Sequence, residues 1–81
     1  MIGYSQKVVR LNKEADQKNL GVRLGKFCIA RDIPVTDVMS YFDVTKQTVY
    51  NWFYGISTPS LQHGRLINNF FQSLSKGSGG N

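Results

Sequence analysis

Apolar positions recur along this chain at helical spacing, in stretches bounded by residues that start or stop helices. Leu20, Leu24, Phe27 and Cys28 form one apolar face, and Asp16 or Asn19 can cap a helix running to about Ala30. Gly21 and Gly25 lie one turn apart inside it, each costing about 1 kcal/mol relative to alanine. Such a pair predicts close packing of another helix on that side. Ile33-Pro34 marks a break, because proline disfavours helix in the residue before it. Pro34 can stand at the next helix entrance, where its missing N–H does no harm. Val38, Met39 and Phe42 then face inward, and Asp37 in the first turn suits the positive end of the helix dipole. That helix is expected to stop near Asp43, with Val44 plugging the corner.

Thr45 is a good N-cap for a following helix in which Val49, Trp52 and Phe53 share one side. Gln47, Tyr50, Asn51 and Tyr54 fall on the opposite side, with Lys46 at the edge of the first turn. Gly55 suits the left-handed position that ends a helix. After a loop from Ile56 to Pro59, Ser60 can cap a last helix to about Leu74, with a wide stripe of Leu66, Ile67, Phe70, Phe71 and Leu74. The first fifteen residues have no clean stripe, since Lys7, Arg10 and Lys13 interrupt Val8, Val9 and Leu11; a flexible basic arm, a short edge strand or an extra helical turn all fit. The pattern therefore predicts an all-α bundle of four to five helices. Its parts are an arm or extra element over 1–18, a domain over 19–75 and a flexible tail over 76–81. No internal repeat is present.

Eighty-one residues suffice for one compact domain with a small core, marginally stable alone. Apolar content of 41%, with one Trp, four Tyr and five Phe, argues for a folded globule rather than a disordered chain. Ten Lys and Arg against five Asp and Glu give a formal charge of +5, which suits a polyanionic partner. Cys28 is the only cysteine, so an internal disulfide is excluded and a reducing compartment is expected. No run approaches the ~18 apolar residues of a membrane span, and no signal-peptide apolar region opens the chain. The expected location is the cytoplasm of a bacterium or of a phage-infected host.

The stretch Val35 to Tyr54, VTDVMSYFDVTKQTVYNWFY, reads as a helix, a tight corner and a second helix with an exposed polar face. That is the arrangement in which one helix braces another lying in the major groove of DNA. Gln47 and Asn51 each carry an amide able to pair bidentately with adenine, and Lys46 can donate to guanine O6 or N7. Tyr50 can stack on a thymine methyl or bond a phosphate. Phosphate contacts are expected from Thr36, Thr45, Thr48, Tyr54, Ser57 and Thr58, since short hydroxyls and helix-start N–H groups suit that role. Lys7, Arg10, Lys13, Lys18, Arg23 and Lys26 precede this stretch, either as an arm wrapping the duplex or as a solvated basic face.

From about Asn19 to Leu74, and most sharply from Val38 to Pro59, the chain resembles the lambda-repressor-like helix-turn-helix family, which includes phage Cro and repressor domains. Val38, Phe42, Val44, Val49 and Trp52 stand at the family's buried positions. VTKQTVYNWFYG is similar to its corner, recognition helix and helix end, and Pro59-Ser60 to the entry of its next helix. Met39 stands where the family usually has alanine, and Asp43 where it has glycine; aspartate tolerates left-handed backbone better than most residues. The resemblance implies base reading by Lys46, Gln47, Tyr50 and Asn51.

Trp52 is expected in the core, Cys28 in helix packing and His63 at the surface, with no ligand cluster at metal spacing. No paired acid and base, nucleophile motif or phosphate loop is present, so no enzyme, metal or cofactor is expected. Two readings follow. One is a sequence-specific transcriptional regulator, a repressor or Cro-like protein of a phage or mobile element, acting as a homodimer on a partly palindromic double-stranded operator. The other is an interaction protein that uses the same scaffold to bind RNA polymerase or another protein. Phe71 or Leu74 would be available for a second copy, unless the N-terminal segment covers them.

Overall fold

The computed structural model describes residues 3–79. Among them are five helices and no strand: α1 (Gln6–Glu14), α2 (Leu20–Ala30), α3 (Val35–Phe42), α4 (Lys46–Tyr54) and α5 (Leu61–Gly79). The helix starts follow the caps. Asn19 accepts from the Gly21 N–H at 2.8 Å, Thr45 from Thr48 N–H at 3.2 Å and Ser60 from His63 N–H at 3.2 Å. Pro34 is the N-cap of α3. Asp43 and Gly55 end α3 and α4 with φ of 56° and 76°, the left-handed geometry expected of both.

The N-terminal segment is a helix rather than an arm or a strand. Ser5 caps α1 by accepting from the Val8 N–H at 3.3 Å, and Gln17 Nε2 donates to the Asn12 and Ala15 carbonyls past its end. Val8 and Asn12, one turn apart, are the residues α1 buries, and the helix packs on α2 and α4. Its start is tied down by Gly3 N–H to Asp32 Oδ1 at 2.7 Å and by the Tyr4 hydroxyl donating to the Ile33 carbonyl. Asp32 takes φ of 56° after α2, a left-handed turn residue that composition does not announce. At the other end α5 continues to Gly79, past the expected stop at Leu74, with no proline in that stretch to end it. Of the expected tail, Gly80 and Asn81 lie outside the described residues.

The core gathers Leu24 and Cys28 of α2, Val38 and Phe42 of α3, Val49, Trp52 and Phe53 of α4, and Ile67 and Phe70 of α5, with Tyr4 and Val8 from the N-terminal segment. Phe42 is its hub, with its ring centroid 5.8 Å from Trp52 and 5.5 Å from Phe70. Both glycines of α2 meet α4. A β-carbon on Gly21 would lie 2.8 Å from Trp52 Cβ, and one on Gly25 would lie 2.5 Å from Asn12 Nδ2 and 2.8 Å from Phe53 Cγ. The space at Gly25 thus belongs to Phe53 and Asn12.

Burial pushes the Cys28 thiol from its ordinary 9.0 up to about 12. The Tyr4 phenol is also raised, first by desolvation and then by its neighbours Cys28 and Tyr50. The unfolded chain releases both protons at lower pH than the folded protein, so the folded state binds more protons above about pH 9, and stability falls as pH rises there. Unfolding by urea is expected to show stability about 1 kcal/mol lower at pH 10 than at pH 7. Iodoacetamide at pH 8 should modify Cys28 far more slowly in the native protein than in denaturant; equal rates would contradict this burial.

Candidate nucleic-acid interface

The outward side of α4 follows from what the helix buries. Val49, Trp52 and Phe53 are buried, which turns Gln47 and Asn51 away from the core, whereas Tyr50 and Tyr54, expected on the outward side, pack against its edge. Lys46 and Gln47 are exposed, while Tyr50, Asn51 and Tyr54 are half-buried. Gln47 Nε2 donates to Asn51 Oδ1 at 3.0 Å, so two amides one turn apart form a single polar unit. Beside it the Tyr50 and Tyr54 rings stack, with centroids 5.9 Å apart and planes 8° from parallel. Tyr50 also meets Phe53 edge-on at 6.0 Å, which fixes the inner edge of the pair. The Tyr54 phenol is raised by desolvation and then by Tyr50.

The hydroxyl residues fall at both ends of this face. At the near end Thr45 and Thr48 share a hydrogen bond at 3.0 Å between their Oγ1 atoms, and Thr45 also caps α4. Thr36 is exposed in the first turn of α3. At the far end the loop folds back on α4: the Ile56 and Ser57 N–H groups both donate to the Asn51 carbonyl, at 2.9 and 3.3 Å. Thr58 Oγ1 accepts from Asn19 Nδ2 at 3.3 Å, which ties the loop to the start of α2. Thr45, Thr48 and Thr58 therefore already serve internal contacts, whereas Thr36 and Ser57 present exposed side chains.

Charge is distributed unevenly around the face. Lys46 is the only charged residue of α4, and Asp37 and Asp43 lie on α3 and its turn. Lys7, Arg10, Lys13, Lys18, Arg23 and Lys26 are all exposed, on α1, α2 and the loop between them. Arg23 Nε donates to the Gln17 carbonyl at 3.1 Å, and the Arg31 guanidinium lies 4.4 Å over the Phe27 ring. His63 is half-buried rather than a free surface residue; it bonds Ser60 Oγ at 3.1 Å and rests against Trp52 at 5.1 Å between centroids. Among the described residues no group of three His, Cys, Asp or Glu is placed to hold a metal ion, and no helix is long and apolar enough to cross a membrane.

Asn12 is the residue that pattern reading passed over. It is 3% exposed, and its Nδ2 donates to the Val22 carbonyl of α2 at 3.0 Å and to the Phe53 carbonyl of α4 at 2.9 Å. The available signal was a polar residue four positions after Val8, on the same side of a short helix. The chain matches no protein-family model, no curated protein and no solved structure.

Proposed function

We propose that the chain is a sequence-specific double-stranded DNA-binding transcriptional regulator of the lambda-repressor-like helix-turn-helix kind. In this reading α3 braces α4, and α4 enters the major groove. The observation that carries it is the polar row on α4, where the hydrogen-bonded Gln47 and Asn51 amides stand clear of the buried Val49, Trp52 and Phe53. On meeting a duplex each amide exchanges its partner for an adenine edge, and Lys46 reaches a guanine. Thr36, Tyr54 and Ser57 supply donors to phosphate oxygens at the flanks. Two copies on a partly palindromic operator would block polymerase by occupancy, as a phage or mobile-element repressor or Cro-like protein does. Leu74, 37% exposed at the outer end of the α5 stripe, is open to such a second copy, whereas Phe71 is engaged 4.7 Å from the Phe27 ring.

Selection of bound sequences from a random duplex pool, followed by titration of the winning site, tests this reading. Gln47→Ala or Asn51→Ala is expected to weaken binding by about 1–3 kcal/mol and to relax preference at one base position. Parent-like affinity and preference in both variants would rule out base reading by α4. Affinity should also fall steeply as salt rises, with a slope set by the number of phosphate contacts.

The sparse charge of α4, with Lys46 alone on it, favours a second reading, an interaction protein that presents the same face to RNA polymerase or another protein. Failure to bind any duplex at low salt, with the fold intact, would select that reading.

A further inference from the structure

Between α1 and α2 runs a groove of about 330 Å³, lined by Val9, Asn12 and Lys13 on one side, Lys26, Ile29 and Ala30 on the other, and Gln17. Its volume lies at the lower end of the range for small-ligand sites. Val9, Ile29 and Ala30 supply apolar surface, and Lys13 and Lys26, both exposed, supply two positive charges. No carboxylate lines the groove to neutralise them.

The decisive group is Asn12. Its Nδ2 spends both hydrogens on the Val22 and Phe53 carbonyls, an arrangement that fixes which end of the amide is nitrogen. Its Oδ1 accepts no hydrogen bond among the described residues, although the residue is 3% exposed. No buried side-chain nitrogen or oxygen among the described residues is sealed off without a partner, so Oδ1 keeps a small contact with solvent, and the groove is the space that Asn12 lines. An acceptor set among apolar side chains selects a ligand that brings an N–H or O–H to it. The two ammonium groups select an anion.

We propose that this groove binds a small organic carboxylate whose apolar or aromatic body carries a hydrogen-bond donor. The donor meets Asn12 Oδ1, the body covers Val9, Ile29 and Ala30, and the carboxylate lies between Lys13 and Lys26. A neutral apolar compound leaves the oxygen and both charges unanswered. The proposal goes beyond the DNA-binding reading and stands without it. It also has a route to α4, because the amide that receives the ligand holds the Phe53 carbonyl, and hydrogen bonds in series polarise one another.

Indole-3-acetate is a suitable probe, having an N–H, a flat apolar body and a carboxylate. Titrated into the full chain without DNA and followed by amide NMR, it is expected to shift Val9, Asn12, Ile29 and Ala30, together with Tyr54, whose N–H shares a peptide unit with the Phe53 carbonyl. Naphthalene-1-acetate, which lacks the donor, and indole, which lacks the charge, should each bind about tenfold more weakly. The exposed-site variant Lys13→Gln/Lys26→Gln should keep the parent spectrum and lose about tenfold in affinity for indole-3-acetate. Equal affinity for the three compounds, shifts scattered away from the groove, or no shifts at ~1 mM probe would overturn the proposal. Tighter binding of an acidic decapeptide than of indole-3-acetate would overturn it in favour of a protein partner.

Discussion

Replacing Asn12 with alanine is expected to lower stability by about 3 kcal/mol, because two hydrogen bonds are lost and a buried helix-end carbonyl is left without its donor. The Phe53 carbonyl is the more exposed to this loss. It lies in the last turn of α4, where the following N–H groups of Gly55, Ile56 and Ser57 go instead to Trp52 and Asn51. Asn12 Nδ2, at 2.9 Å, is its donor. Helix-end carbonyls need such a partner or water, and packing of α1 over α4 keeps water away. For a domain of this size the loss corresponds to a fall of about 12–24 °C in Tm. Circular dichroism melts of parent and variant measure it. A fall of only a few degrees would mean that the Phe53 carbonyl finds another donor readily. Hydrogen exchange should show α1 and the end of α4 loosening together.

Gly21→Ala is expected to lower stability by about 2 kcal/mol even though alanine favours helix by about 1 kcal/mol. The added methyl would stand 2.8 Å from Trp52 Cβ, 2.9 Å from the Trp52 carbonyl oxygen and 3.0 Å from its Cα. These are main-chain atoms and the root of a side chain, so no rotamer change relieves the clash. The helices must separate, and separation opens the packing around Trp52. Gly64→Ala is the matched control. There the methyl would meet only Leu20 Cδ2 at 3.4 Å, so the helix preference acts alone and stability should rise by about 0.5–1 kcal/mol. Urea midpoints that move the same way in both variants would contradict this account of the α2–α4 contact.

Much of the fold was legible because local chemistry and tertiary packing agree at the helix ends. Asn19, Thr45, Ser60, Asp43 and Gly55 act within a few residues of themselves, and their short-range preferences survive in the folded chain. The two-glycine face of α2 was readable for the same reason, since only close approach of another helix compensates two glycines there. The N-terminal helix was not readable. Its stability comes from Asn12, Tyr4 and Gly3 reaching partners ten to forty-one positions away, which periodicity cannot register. Asp32 belongs with them, because its left-handed turn is secured by the Gly3 N–H from a distant part of the chain. In the candidate site the outward amides Gln47 and Asn51 were legible from the wheel, but the packing of Tyr50 and Tyr54 against the core edge was not, because long aromatic side chains reach sideways from their positions. The internal engagement of Thr58 with Asn19 was not, because it joins two loops.

The glycine contact between α2 and α4 has a consequence for how this surface can change over generations. With no side chain on α2 at Gly21 and Gly25, the pose of α4 is held from behind, by these glycines with Trp52 and Phe53. Lys46, Gln47 and Asn51 carry none of that load. Substitutions there can therefore accumulate at small folding cost, so descendants of this chain are free to acquire new preferences on an old frame. The glycines behind them are not free to vary.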